Sequence, residues 1–99
     1  MRDVTGTLVL AGTPIGDVQD APPRLAVELA EADVVAAEDT RRLKRLAQAL
    51  GVTPRGRVVS YFEGNESART PELVQELLGG ARVLLVTDAG MPSVSDPGY

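Results

Sequence analysis

The sequence predicts an α/β domain: an open, mainly parallel sheet with helices on both faces. Three observations predict it. Short apolar runs alternate with amphipathic helical stretches along the whole chain. Val34-Val35-Ala36-Ala37 and Val83-Leu84-Leu85-Val86 are apolar at every position, as strands covered on both faces are. Each run empties into a loop rich in Gly, Pro, Ser, Thr or Asp, residues that let the chain turn and a ligand approach the backbone. The order strand, helix, strand, helix, strand, helix, strand implies parallel pairing through right-handed crossovers. All strand carboxyl ends then open onto one edge, where an open α/β sheet receives its ligand.

Composition narrows the chemistry. The 99 residues make at most one domain, and 43% hydrophobic with 3% aromatic residues describes a globular protein built on Ala, Val and Leu. Cysteine and histidine are both absent, which excludes from this segment thiol nucleophiles, disulfides, Cys/His zinc sites and a histidine base. No apolar run approaches the roughly 20 residues of a membrane span, and Met1-Arg2-Asp3 does not open a signal peptide. A cytoplasmic location, with no membrane partner, is the expectation. The net charge of −4 counts against a polyanionic partner, but its distribution counters this. Between Asp39 and Glu63 there is no acid, while Arg41, Arg42, Lys44, Arg45, Arg55 and Arg57 fall in that interval.

Taken in order, the first strand is Thr7-Leu8-Val9-Leu10-Ala11, followed by Gly12-Thr13-Pro14-Ile15-Gly16-Asp17. Asp20 is placed to cap a helix with Pro22 and Pro23 in its first turn, running to about Ala30 and burying Leu25, Ala26, Leu29 and Ala30. Asp33 to Ala37 is a short buried strand ending at Glu38-Asp39-Thr40. Asp39 or Thr40 caps a second helix, in which Leu43, Leu46, Ala47 and Leu50 recur at helical spacing and Gly51 stands at the left-handed stop. Thr53-Pro54-Arg55-Gly56 turns the chain into a third strand, Val58 to Tyr61, and a polar loop follows from Phe62 to Arg69. Thr70-Pro71-Glu72 combines a cap, a first-turn proline and an acid, predicting a third helix from there to about Leu78. Gly79-Gly80 ends it before the last strand, Arg82 to Val86. At the end of the sequence, Ser95 or Asp96 with Pro97 reads as the start of a further helix, so the expectation is the front part, residues 1–99, of a longer protein whose second domain is absent.

The loops carry the candidate chemistry. Gly12-x-x-x-Gly16 has neither the spacing of a dinucleotide fingerprint nor the Lys-Ser/Thr pair of a phosphate-binding loop, and taken alone it is a tight turn. The stretch from Thr87 to Tyr99 is made almost wholly of backbone-shaping or hydrogen-bonding residues, more than a structural turn needs. Asp88 there can accept hydrogen bonds from a ribose or an ammonium group. Glu38-Asp39-Thr40-Arg41 is either a capping segment or a source of a carboxylate that orients substrate or takes a proton. The basic run Arg41 to Arg45 is either a solvated helix face or an RNA-facing one, with only Tyr61, Phe62 and Tyr99 available for base stacking. Asn65 and Glu66 are open to the reading that they are loop polar residues and nothing more.

Four motifs in order then resemble one family: Thr13-Pro14-Ile15-Gly16, Ala37-Glu38-Asp39-Thr40-Arg41, Tyr61-x-Glu63-x-Asn65-Glu66 and Asp88-Ala89-Gly90-x-Pro92-x-x-Ser95-Asp96-Pro97-Gly98. The chain resembles the amino-terminal domain of the tetrapyrrole-methylase-like (class III) S-adenosylmethionine-dependent methyltransferases, and among them the ribosomal RNA small-subunit methyltransferase I family. The resemblance implies methylation of a cytidine ribose 2′-hydroxyl in small-subunit ribosomal RNA, with S-adenosylmethionine as cofactor and no metal. It places the cofactor against Pro14, Ile15 and Gly16 on one side and Asp88, Gly90, Met91 and Pro92 on the other. Glu38 or Asp39 is the expected base. Arg41, Arg42, Arg45, Asn65 and Glu66 are the expected RNA contacts.

Asp17, Gly64 and Met91 stand where the family pattern leads one to expect Asn, His and Thr. Gly64 removes a side chain from the third loop, whereas Met91 leaves its loop's backbone contacts available. The apolar surface that a missing second domain leaves uncovered favours self-association, so a homodimer is expected. Two alternatives stand beside this reading: an interaction or dimerisation module without activity of its own, and a methyltransferase of the same class acting on a tetrapyrrole or another small molecule.

Overall fold

The computed structural model describes residues 6–12 and 21–87. The elements follow in the order β1 (Thr7–Gly12), α1 (Pro23–Glu31), β2 (Val34–Ala37), α2 (Thr40–Leu50), β3 (Arg57–Ser60), α3 (Glu66–Leu78) and β4 (Arg82–Thr87). All the strands are parallel and form one sheet in the spatial order β1-β4-β2-β3. The predicted architecture is present.

The order explains which helix covers which face. From β1 to β2 and from β2 to β3 the chain steps one way across the sheet, and from β3 to β4 it steps back. Right-handed crossovers therefore place α1 and α2 on one face and α3 on the other. The core divides accordingly. Leu25 and Leu29 of α1 and Leu43 and Ala47 of α2 pack with Val35, Ala37, Leu84 and Val86. Leu73 of α3 packs with Val34, Ala36 and Val83, the alternate residues of the same strands. This period of two, with both sets buried, is why the strands carry no polar face.

Local signals account for most element ends. The Asp39 carboxylate caps α2, accepting from the backbone N–H groups of Arg41 and Arg42 at 3.0 and 3.1 Å. Gly51 closes α2 with φ of 77°, a conformation a side chain disfavours, and its N–H reaches the carbonyls of Ala47 and Gln48. Helix α1 begins with Pro22 at the cap position and Pro23 as its first residue; Asp20 lies outside the described residues. Strand β3 begins and ends one residue before the stretch predicted for it.

Helix α3 corrects the expectation at its start. It opens at Glu66, four residues before Thr70, and Pro71 lies inside it. The early turn is set by Asn65, whose carbonyl accepts from the N–H groups of Ala68 and Arg69 at 3.1 and 2.9 Å. The Thr70 hydroxyl, freed from capping, bonds the Tyr61 hydroxyl at 2.8 Å.

At the amino-terminal edge of the sheet, ion pairs tie the layers together. Arg82 at the start of β4 grips Glu28 of α1 with two hydrogen bonds, Nε to Oε1 at 2.9 Å and Nη2 to Oε2 at 2.6 Å. The Asp33 carboxylate accepts from the Arg82 backbone N–H at 2.8 Å and pairs with Arg55 at 3.2 Å. Gly56 passes so close to the Asp33 carbonyl that a Cβ would collide with it.

Candidate functional site

At the carboxyl edge, β2 and β3 lie side by side but send their chains to opposite faces, β2 into α2 and β3 into α3. A crevice opens where neighbouring connections diverge in this way. Here it is a cleft of about 320 Å³ bounded by Glu38 after β2, Tyr61, Phe62 and Glu63 after β3, Glu66 at the start of α3, and Leu85, Val86 and Thr87 of β4. Three carboxylates thus border a partly apolar cleft: Glu38, Glu63 and Glu66. Such an arrangement attracts a positively charged ligand and supplies groups able to take a proton.

The third loop is built around Asn65. Its Oδ1 accepts from the Phe62 N–H at 2.9 Å, and its Nδ2 donates to the Ser60 hydroxyl at 2.9 Å and the Ser60 carbonyl at 3.3 Å. Arg69 adds a bond from Nε to the same carbonyl at 3.0 Å and pairs with Glu72 at 3.0 Å. The amide at position 65 needs both its acceptor and its donors, which no other side chain of that length but asparagine supplies in this geometry. It fixes the turn that carries Phe62 and Glu63 to the cleft.

Glu38 and Asp39, adjacent in sequence, sit in different circumstances. Glu38 is exposed and lines the cleft. Asp39 is turned to α2, and its carboxyl is held below the usual aspartate range, first by the hydrogen bond from the Arg42 backbone and then by that from Arg41, against some desolvation. A carboxylate so stabilised is a weaker base.

The expected RNA contacts separate into two groups. Glu66 borders the cleft and Asn65 braces its loop, whereas Arg41, Arg42 and Arg45 stand exposed on α2. Pro14, Ile15, Gly16, Asp88, Gly90, Met91 and Pro92, the expected cofactor contacts, lie outside the described residues. The strands that launch their loops are nonetheless neighbours, since Gly12 at the end of β1 is paired with Thr87 at the end of β4. Tyr61, Phe62, Glu63 and Thr87 line the cleft although sequence reasoning does not assign them to it. The motif spacing that holds Asn65 also holds Tyr61 and Glu63, but only the turn made by Asn65 tells which way they are carried. Among the described residues no group of three or more His, Cys, Asp or Glu is arranged to hold a metal ion, and no helix is long and apolar enough to cross a membrane.

Comparison with known proteins gives a consistent result. The family model described as Tetrapyrrole (Corrin/Porphyrin) Methylases matches residues 7–99. A protein of Mycobacterium tuberculosis named Ribosomal RNA small subunit methyltransferase I is 55% identical over 95 residues, which cover 96% of this chain and 33% of that protein. Proteins of the same name from Halalkalibacterium halodurans and Synechocystis are 45% identical over 98 residues and 43% identical over 93, covering 99% and 94% of this chain and 33% of each relative. The chain spans about a third of the length of the curated relatives it matches.

Proposed function

The chain belongs to the tetrapyrrole (corrin/porphyrin) methylase family, and from that premise we propose that it forms the amino-terminal part of an S-adenosylmethionine-dependent methyltransferase acting on the ribose 2′-hydroxyl of a cytidine in small-subunit ribosomal RNA. The observation that carries the proposal is the cleft at the carboxyl edge, bordered by Glu38, Glu63 and Glu66. Its acidic rim and the apolar Leu85 and Val86 suit a ligand that is cationic at one atom and apolar around it, as a sulfonium is. When bound, the cofactor supplies a methyl group whose bond to sulfur breaks as a bond to the ribose oxygen forms. Pro14, Ile15 and Gly16 after β1, with Asp88, Gly90, Met91 and Pro92 after β4, are the proposed cofactor contacts, and the pairing of Gly12 with Thr87 supports two loops rooted side by side.

The chain's own residues divide the remaining work. Glu38, exposed at the cleft, takes the proton of the attacking hydroxyl. Asp39, with its lowered pKa, is a positioning residue that fixes the start of α2 and thereby the backbone of Glu38. Asn65 sets the turn opposite, and Glu66 faces the substrate. In-line transfer needs alignment of three atoms above all, so the rigidity of these turns matters more than the strength of any one base. Arg41, Arg42 and Arg45 meet the RNA backbone. A cytoplasmic homodimer completes the proposal; exposed Leu8 and Leu10, 50% and 58% accessible on edge strand β1, support self-association.

The test is transfer of labelled methyl from S-adenosylmethionine to assembled small ribosomal subunits by the full-length protein. Label is expected at a cytidine ribose, and Glu38→Gln is expected to lower the rate at saturating cofactor roughly 100-fold or more, a larger effect than its loss of one rim charge has on cofactor affinity. A family description that names tetrapyrroles favours a second reading, a small-molecule acceptor. Label found in porphyrins or corrins and never in RNA would establish that reading instead.

A further inference from the structure

We infer that the outer face of α2 and the hollow beside it form a second nucleotide-binding subsite, which holds a flanking nucleotide of the RNA away from the reaction cleft. Arg41, Lys44, Arg45 and Gln48 lie at the i, i+3, i+4 and i+7 positions of α2, all exposed and on one stripe opposite buried Leu43 and Ala47. Arg55 and Arg57 are paired with Asp33 and Glu76, whereas among the described residues Lys44 and Arg45 make no ion pair with a carboxylate, and Arg41 has the neighbouring Asp39 cap.

Their position in the helix is a second, independent observation. They occupy the first half of α2, with no acid in the first turn and no base in the last. Helix stability favours the reverse arrangement, because the amino-terminal end is itself positive. The Asp39 cap answers Arg41 and Arg42 at the helix start, and Lys44 and Arg45, about one turn further along, concentrate positive potential beside the hollow. An anion bound there relieves the mutual repulsion of these side chains.

The hollow at the side of this stripe specifies the anion further. It has a volume of about 400 Å³, with Lys44, Arg45 and Gln48 along one side and half-buried Val52, Pro54 and Val58 beside them. An apolar wall for a ring face, an amide for a ring edge and two cations for a phosphate are together the requirements of a single unstacked nucleotide. The carboxylates of the reaction cleft repel phosphate. They accommodate a ribose hydroxyl only if the neighbouring phosphates are drawn elsewhere, and Lys44 to Gln48 beside the hollow lie about 6–12 Å along α2 from its start at the cleft. The inference rests on the RNA reading of the site and adds where the flanking strand goes.

The test uses the full-length protein and a short single-stranded oligoribonucleotide containing 4-thiouridine. Photocrosslinks are expected in the peptide spanning residues 44–58. Lys44→Gln combined with Arg45→Gln is expected to weaken binding roughly tenfold and to reduce the slope of log affinity against log salt by about 0.7, the change for one phosphate no longer neutralised. Arg24→Gln, on the exposed part of α1, should leave both unchanged. Crosslinks confined to other peptides, or a double variant with wild-type affinity and salt slope, would overturn the subsite. Methyl transfer to small subunits, read on the same variants, separates the two proposals. Label in RNA with an unaltered salt slope rejects the subsite alone, and crosslinks in 44–58 without label in RNA reject the reaction while retaining the subsite.

Discussion

Asp39 shows how two adjacent carboxylates come to stand in different surroundings. Next to Glu38 in sequence, it has the same chemistry and stands at the same strand end, but its oxygen accepts from two α2 backbone N–H groups. Asp39→Ala is expected to lower the urea midpoint and fray the start of α2, whereas Asp39→Asn, which keeps the acceptor, should retain most of the stability. Chemical denaturation of the two variants together checks this. The sequence offers Asp39 and Thr40 as equal candidates for the cap, since both types serve; only the orientation of the carboxylate distinguishes them. A steric demand is equally specific at Gly56. With no room for a Cβ beside the Asp33 carbonyl, Gly56→Ala should cost about 1–3 kcal/mol in the same measurement.

At the scale of the element, legibility depends on how locally each element is determined. Helix α2 is readable from end to end, because its apolar spacing, its cap and Gly51 all lie within it or at its ends. The start of α3 is not. Thr70-Pro71-Glu72 has every local mark of a helix start, yet the first turn forms earlier, where Asn65 binds back to Ser60 and Phe62 of the preceding strand end. That signal is also short-range, but it is a side-chain bond back to the strand end, which the cap-and-proline pattern at Thr70 does not register. Asn65→Ala removes its side-chain hydrogen bonds and is expected to destabilise the protein by roughly 1–2 kcal/mol, with faster proteolysis between Phe62 and Glu66. Asn65→Asp, which keeps the acceptor to the Phe62 N–H and loses the donors, should fall between Ala and wild type. The candidate cleft is half legible for the same reason. Glu38 and Glu66 can be named from their motifs, but Tyr61, Phe62 and Glu63 join them only through the turn that Asn65 makes.

Across the whole molecule, the two edges of the sheet have different duties. The carboxyl edge carries the cleft, and the amino-terminal edge carries the ties that hold the layers in place. Glu28 is the most enclosed carboxylate of those ties, 5% exposed, and its pKa is lowered chiefly by the hydrogen bond from Arg82, with desolvation opposing it. A group whose pKa is depressed by folding contributes stability above its unfolded value and loses that contribution as the pH falls through the folded one. Stability should therefore decline from about pH 5 downward, and Glu28→Gln should flatten that part of the profile, as measured by the urea midpoint at stepped pH. No sequence pattern joins these residues, because Glu28 and Arg82 belong to different elements far apart along the chain. Strand order is hidden likewise: parallel pairing follows from the alternation of elements, but which strand lies beside which does not.

That order has a consequence for how the protein is made. Strand β4, the last described in the chain, lies between β1 and β2, and β1 has no other partner among the described strands. During synthesis from the amino terminus, β2 can pair with β3 early, while β1 must wait until residues 82–87 have left the ribosome. Its exposed Leu8 and Leu10 are available to chaperones throughout that interval. Among the described strands the sheet is then completed late, when β4 pairs with β2 and β1 pairs with β4, and the same event brings the roots of the loops after β1 and β4 together.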